Sequence, residues 1–245
     1  MDQVKVEICA GSVESCRIAE EVGADRVELC AWLSQGGSTP SLGMLRKCRR
    51  VLHHTRMHVL IRPEGSFSYD EDAVRVMLSD IEVAREEGAD GVVVGALSPE
   101  GGIDIPVVHR LAEAAEGMSL TFHRAFDLLR YSLEGLDTLV ELGFDRILTS
   151  GCRPDVVQGR ETLKRLQNYA AGRITLLAGG GVREENIRDL AEYTGVREFH
   201  FSARQKVDRE ASVVDGDFPA FGFGEVAGFE TSRERVLAIM HAVGR

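Results

Sequence analysis

Two short segments of this chain end alike: Val6-Glu7-Ile8-Cys9 and Val27-Glu28-Leu29-Cys30. Read as strands, each sets Glu and Cys on one face and the aliphatic residues on the other, because successive side chains alternate. If the two strands are parallel neighbours, two carboxylates and two thiols converge. A carboxylate on an inward strand face is costly unless paired or hydrogen-bonded, and two close together push one pKa upward. Glu7 and Glu28 are therefore candidates for general acid–base work or cation binding. The competing reading is a structural ion pair with Arg26, Arg62 or Arg124. Thiolates from Cys9 and Cys30 suit a soft ion such as Cu(I) or Zn(II), and two suffice for linear Cu(I). Their spacing is not that of a CxxC or zinc-finger site, and cysteine is also an ordinary small buried hydrophobe.

Further along, Thr121-Phe-His-Arg-Ala-Phe-Asp127 is the densest polar cluster. His123 is a candidate acid, base or ligand at a strand end. Arg62, closing His58-Val-Leu-Ile-Arg62, projects from another strand end by the same parity. With Arg124 it suggests forked donors for an anion, or counter-ions for Glu7 and Glu28. Ala178-Gly179-Gly180-Gly181-Val182 and Phe201-Ser202-Ala203-Arg204 each follow a strand. Glycines let backbone N–H groups approach a ligand, so Gly179, Gly180, Gly181 and Ser202 form a candidate phosphate or carboxylate site, the alternative being simple tight turns. Cys152 lies near the same rim, whereas Cys16 and Cys48 fall on helices and read as packing residues.

The elements that must position these residues alternate regularly. Strands are expected at Val4–Cys9, Arg26–Cys30, Met57–Arg62, Gly91–Val94, Leu120–His123, Arg146–Ser150, Ile174–Leu177 and Glu198–Ser202. Helices are expected between and after them, with Ser12, Ser41 and Asp70 as N-caps. An internal echo supports this. Glu21-Val-Gly-Ala-Asp-Arg-Val-Glu-Leu-Cys30 resembles Glu86–Gly95, Glu141–Ser150 and, more loosely, Tyr193–Ser202. Gly23, Gly88, Gly143 and Gly195 sit where a left-handed helix end is required. Double βα units of this kind close into a single-domain (β/α)8 TIM barrel of the α/β class, with an open doubly wound sheet as runner-up. Seven residues after each glycine come Cys30, Gly95, Ser150 and Ser202, small residues that leave room at the mouth. Five residues after come Glu28, Val93, Leu148 and His200. The stretch Gln205–Glu230, with four phenylalanines among glycines, reads as a long loop near the mouth, a lid or subunit contact.

The chain has 245 residues, a net charge of −10 and 44% hydrophobic residues, which suits one large α/β domain over residues 1–245. The acidic balance argues against nucleic-acid or acidic-membrane partners. No apolar run spans a bilayer and no signal peptide opens the chain, so a cytoplasmic location is expected. Five irregularly spaced cysteines do not read as a disulfide framework.

Taken together, Glu7-Ile-Cys9, Gly23–Cys30, Gly36-Gly-Ser-Thr-Pro-Ser-Leu-Gly43, Ile61-Arg-Pro63, Thr121–Asp127, Leu148–Cys152, Gly179–Val182 and Phe199–Ala203 resemble the CutC family, historically called copper homeostasis proteins. The resemblance covers roughly the first 204 residues. It implies a cytoplasmic, homo-oligomeric TIM barrel associated with copper, and its proposed Cu(I)-binding cysteines match Cys9 and Cys30. It implies no organic cofactor and no enzymatic reaction. Two departures stand out: Glu64-Gly65-Ser66 replaces the family's Arg-Gly-Gly, and the tail from Gln205 matches poorly. Two functional expectations remain open. One is a Cu(I) protein using Cys9 and Cys30. The other is an enzyme acting on a small anionic or phosphorylated substrate, with Glu7, Glu28, Arg62 and His123 as its catalytic set.

Overall fold

The computed structural model describes residues 3–207 and 228–245. Eight parallel strands close into a barrel in sequence order: β1 (Lys5–Ala10), β2 (Arg26–Leu29), β3 (Arg56–Leu60), β4 (Gly91–Val94), β5 (Ser119–Phe122), β6 (Arg146–Thr149), β7 (Thr175–Gly179) and β8 (Glu198–Phe201). Helices α1 (Val13–Glu21), α2 (Leu42–Arg49), α3 (Glu71–Glu86), α4 (Ile105–Ala114), α5 (Ser132–Glu141), α6 (Arg160–Ala170), α7 (Ile187–Thr194) and α8 (Arg233–Ala242) surround it. The TIM-barrel expectation is met, with every expected strand in place.

Local chemistry explains the boundaries. The side chains of Ser12, Ser41 and Asp70 each accept the backbone N–H three residues on, which satisfies one free donor of the first turn. Past the ends of their helices, Gly23, Gly88, Gly143 and Gly195 all have φ between +69° and +78°, the left-handed geometry that a side chain resists. That shared turn is what the sequence echo records.

The strands divide their side chains between two apolar regions. Val6, Ile8, Val27, Leu29, Met57, Val59, Val92, Val94, Phe122, Ile147 and Phe199 face outward into one continuous core with the helices. Inside the barrel, Cys9, Cys30, Leu60 and Val93 form a small apolar cluster of their own, closed by Leu33. The rest of the interior mixes Thr121, Leu148 and Leu177 with charged residues. Glu7 stands level with Arg26 on β2 and with His200 on β8. Arg26 Nε donates to Glu7, its Nη2 donates to Glu198 at 2.9 Å, and Arg146 Nε meets the same Glu198 oxygen at 3.0 Å. A ladder of alternating charge thus fills the barrel floor, each member compensating a neighbour's burial.

The stretch expected as a loop from Gln205 to Glu230 is bounded by structure. Strand β9 (Arg204–Val207) pairs antiparallel with β10 (Gly228–Thr231), Arg204 opposite Thr231. Each face of this pair carries only one large apolar residue, Phe229 or Val207, so no alternation of hydrophobicity marks them. The segment between them, with Phe218, Phe221 and Phe223, lies outside the described residues. Helix α8 begins after Ser232, whose side chain caps it. Among the described residues no helix is long and apolar enough to cross a membrane.

Candidate functional site

The first two strands place the thiols and carboxylates by register. Cys9 stands opposite Glu28, and Glu7 opposite Arg26, so Glu7 lies one layer deeper than Glu28. Cys9 Sγ lies 3.6 Å from Cys30 Sγ and 3.4 Å from Glu28 Oε2. One donor atom from each of Cys9, Glu28 and Cys30 falls within 4.8 Å of the others, all three buried. The loop after β2 shuts over them. Gly37 has φ +88°, and a side chain there would strike Leu60 at 2.7 Å, so only glycine lets that loop pack against the thiols.

His200 links the two carboxylates, a role the sequence reading did not assign. Its Nδ1 lies 2.7 Å from Glu7 Oε1, and its Nε2 lies 3.7 Å from Glu28 Oε2. Gly179, opposite His200 on β7, leaves no room for a side chain: a Cβ there would stand 2.6 Å from Leu148 Cδ1 and 3.3 Å from the His200 ring. Burial works against a charged His200, yet the charge of Glu28 and the hydrogen bonds that His200 makes to Cys9 and Glu7 outweigh it and raise the pKa well above the usual value. For Glu7, burial alone would raise the pKa, but Arg26 and His200 together hold it well below the ordinary carboxylate range. Glu28 moves the other way, its pKa raised by burial first. The Cys9 thiol is pushed up by its hydrogen bond with Cys30 and by burial. The two glutamates are therefore inequivalent: Glu7 is a fixed charge in the floor ladder, and Glu28 is poised beside the thiols.

Arg62 and Arg124 do not pair with Glu7 or Glu28. Arg62 turns its fork on backbone: Nη1 donates to Gly37 O at 2.5 Å and Gln35 O at 3.3 Å, and Nη2 to Gly65 O at 2.7 Å. It ties the loop after β3 to the one covering the thiols. Arg124 Nε meets Asp127 Oδ2 at 2.8 Å, and Nη2 meets Ser150 Oγ at 2.7 Å. Asp127 also accepts the N–H groups of Ser150 and Cys152, making it the node between the loops after β5 and β6. Cys152 is thereby held through its backbone and does not line the cavity described next. His123, at the end of β5, accepts the Ala125 N–H on Nδ1. Burial, with Arg62 nearby, lowers its pKa to about 3, so it is neutral and carries its proton on Nε2.

Above the thiols opens a cavity of about 480 Å³, lined by Cys9, Glu28, Arg62, His123, Arg124 and His200 together with Gly180, Gly181 and Ser202. The sequence-predicted residues thus meet at one mouth, except Glu7 and Gly179, which lie beneath it, and Cys30, which is covered. The loop after β6 depends on a close backbone approach. A Cβ on Gly159 would lie 1.7 Å from Ser150 O. Gly159→Ala is expected to destabilise by on the order of 2 kcal/mol through overpacking. Gly65→Ala, with nothing within 4 Å, is expected to stay within about 0.5 kcal/mol. Urea midpoints of the two variants check this, and equal midpoints would refute it.

A profile of the CutC family matches residues 4–205. A family protein CutC of Bacteroides thetaiotaomicron is 47% identical over 247 residues, covering 99% of both chains. Another, from Bacteroides fragilis, is 54% identical over 202 residues, 82% of this chain and 80% of the relative. The human copper homeostasis protein cutC homolog is 42% identical over 217 residues, 86% of this chain and 79% of its own. Among solved structures, a CutC of Streptococcus agalactiae superposes with a TM-score of 0.79 at 34% identity, covering 82% of this chain and 99% of that one.

Proposed function

The chain belongs to the CutC family, and from that premise we propose that it is a copper homeostasis protein that binds Cu(I) through Cys9 and Cys30. The observation carrying this reading is the 3.6 Å separation of the two sulfurs. Metal–sulfur bonds of about 2.3 Å at a tetrahedral angle place two sulfurs about 3.8 Å apart, whereas a linear arrangement needs about 4.6 Å. The pair therefore fits a bent site, with Glu28 as the third donor, better than the linear one its residue types alone suggest. Soft thiolates favour Cu(I), and the apolar surround of Leu60, Val93 and Leu33 shields a bound ion from water. The ion displaces the thiol protons of both Cys9 and Cys30 on entry.

The test is an anaerobic Cu(I) titration in competition with a chromogenic chelator. Wild type is expected to take one equivalent, and Cys9→Ser/Cys30→Ser to bind at least a hundredfold more weakly. Glu28→Gln is expected to lose about tenfold. Uptake indifferent to the double substitution would overturn the reading.

A further inference from the structure

A copper ion does not account for the cavity above it. One water occupies about 30 Å³ in the liquid, and this space is about 480 Å³, the size of a small-molecule site. Its charge is one-sided as well. In a chain of net charge −10, its described lining includes Arg62, Arg124, Arg183, Arg204 and Arg235, with Glu28 as the only carboxylate.

Two lining residues each carry a buried polar atom without a hydrogen-bond partner among the described residues: Arg62 Nε and His123 Nε2. Arg62 is 7% and His123 5% exposed, so water does not freely satisfy them. Both flank Phe67, whose ring lies 5.1 Å from the His123 ring and 4.9 Å from Arg62 Cζ. Since His123 is neutral with its proton on Nε2, both orphaned atoms are donors. An unmet buried donor costs about 1–3 kcal/mol, a cost a ligand acceptor would remove.

On the far side, Gly180 and Gly181 have φ of +101° and +83°. A Cβ on Gly180 would sit 3.0 Å from Arg124 Nη1. Glycine there lets the Arg124 guanidinium lie directly against the loop after β7, bringing its charge alongside backbone N–H groups that carry no side chain between them and a ligand. Arg183 completes that edge of the cavity.

From this arrangement we infer that the mouth binds a small organic phosphate. Its dianionic end rests at Arg124, Arg183 and the Gly180–Gly181 backbone, and its uncharged oxygens accept from His123 Nε2 and Arg62 Nε. The pairing of a cationic edge with neutral or backbone-anchored donors suits a phosphorylated polyol or sugar, rather than inorganic phosphate, which has no second end to satisfy the donors. This assignment does not depend on copper.

The test is isothermal titration with ribose 5-phosphate, ribose and inorganic phosphate as probes. Ribose 5-phosphate is expected to bind at least tenfold more tightly than inorganic phosphate, and ribose to show no binding. Arg124→Gln is expected to lose at least tenfold. Arg183→Gln, whose exposed side chain leaves folding untouched, is expected to lose severalfold, with circular dichroism confirming the fold of both. Cys9→Ser/Cys30→Ser is expected to keep phosphate binding, which separates this site from the copper reading. Equal affinity for ribose 5-phosphate and inorganic phosphate, absence of ribose 5-phosphate binding, or binding indifferent to both arginine substitutions would each overturn the inference.

Discussion

Arg26→Met is expected to destabilise the barrel by about 3–5 kcal/mol, the usual cost of removing one partner from a buried ion pair. Glu7 is fully buried and depends on Arg26 Nε, while Arg26 Nη2 also holds Glu198 at 2.9 Å. Methionine fills much of the volume but leaves Glu7 with His200 alone. Glu198 fares better, because Arg146 and Lys5 remain at 3.0 and 3.8 Å. The damage should therefore centre on Glu7, and Arg26→Met/Glu7→Gln should recover part of the loss. That recovery is the coupling a double-mutant cycle isolates. Urea unfolding of the four proteins measures it. A loss below about 1 kcal/mol in the single variant, or no recovery in the double one, would show the ladder to be dispensable. The same substitution reaches the site, since Glu7 anchors His200 Nδ1 at 2.7 Å.

That ladder marks where sequence reasoning stopped. Strand positions and helix ends were legible because local chemistry sets them: Ser12, Ser41 and Asp70 cap helices, and Gly23, Gly88, Gly143 and Gly195 adopt positive φ. Parity along β1 and β2 correctly turned Glu7, Cys9, Glu28 and Cys30 inward. Partners across the barrel are another matter, because they depend on stagger between strands far apart in sequence. Arg26, Arg62 and Arg124 were equal candidates for Glu7 until the register of β1 on β2 put Arg26 beside it. The Arg62 fork, which looked fit for an anion, is taken by three backbone carbonyls that no residue type announces. His200 was within reach. It occupies the same echo position as Glu28, five residues after the glycine, and a titratable residue there signals the mouth as clearly as Glu28 does. The pair β9 and β10 left no signal, since neither face holds more than one large apolar residue.

Acid should unfold this protein through its buried histidines before its surface titrates. Burial depresses the pKa of His58 to about 3, and that of His123 likewise to about 3. Neither His58 ring nitrogen has a partner among the described residues, and a Cβ on neighbouring Gly91 would come within 2.7 Å of its Nε2. Below pH ~6.5 the unfolded chain takes up a proton on each imidazole that the folded chain refuses, so stability falls as pH falls, by about 1.4 kcal/mol per unit for each histidine. By pH 3 each has cost about 5 kcal/mol. Other groups shape the curve. His200, with a raised pKa, is protonated in both states below pH ~6.5 and adds no slope there. Glu28, also raised, opposes the histidines from its folded pKa down to its unfolded one, leaving a net slope of about one proton. Below pH ~4.5 that opposition ends and Glu7, with its lowered pKa, joins them, so the decline steepens. His58→Met removes one titrating ring at the cost of no hydrogen bond. It is expected to match or exceed wild type at pH 7 and to lose stability more slowly on acidification. Urea midpoints at pH 7, 5.5 and 4 for both proteins decide it. Parallel curves would mean that His58 is protonated in the fold, with an acceptor supplied by rearrangement of the barrel floor.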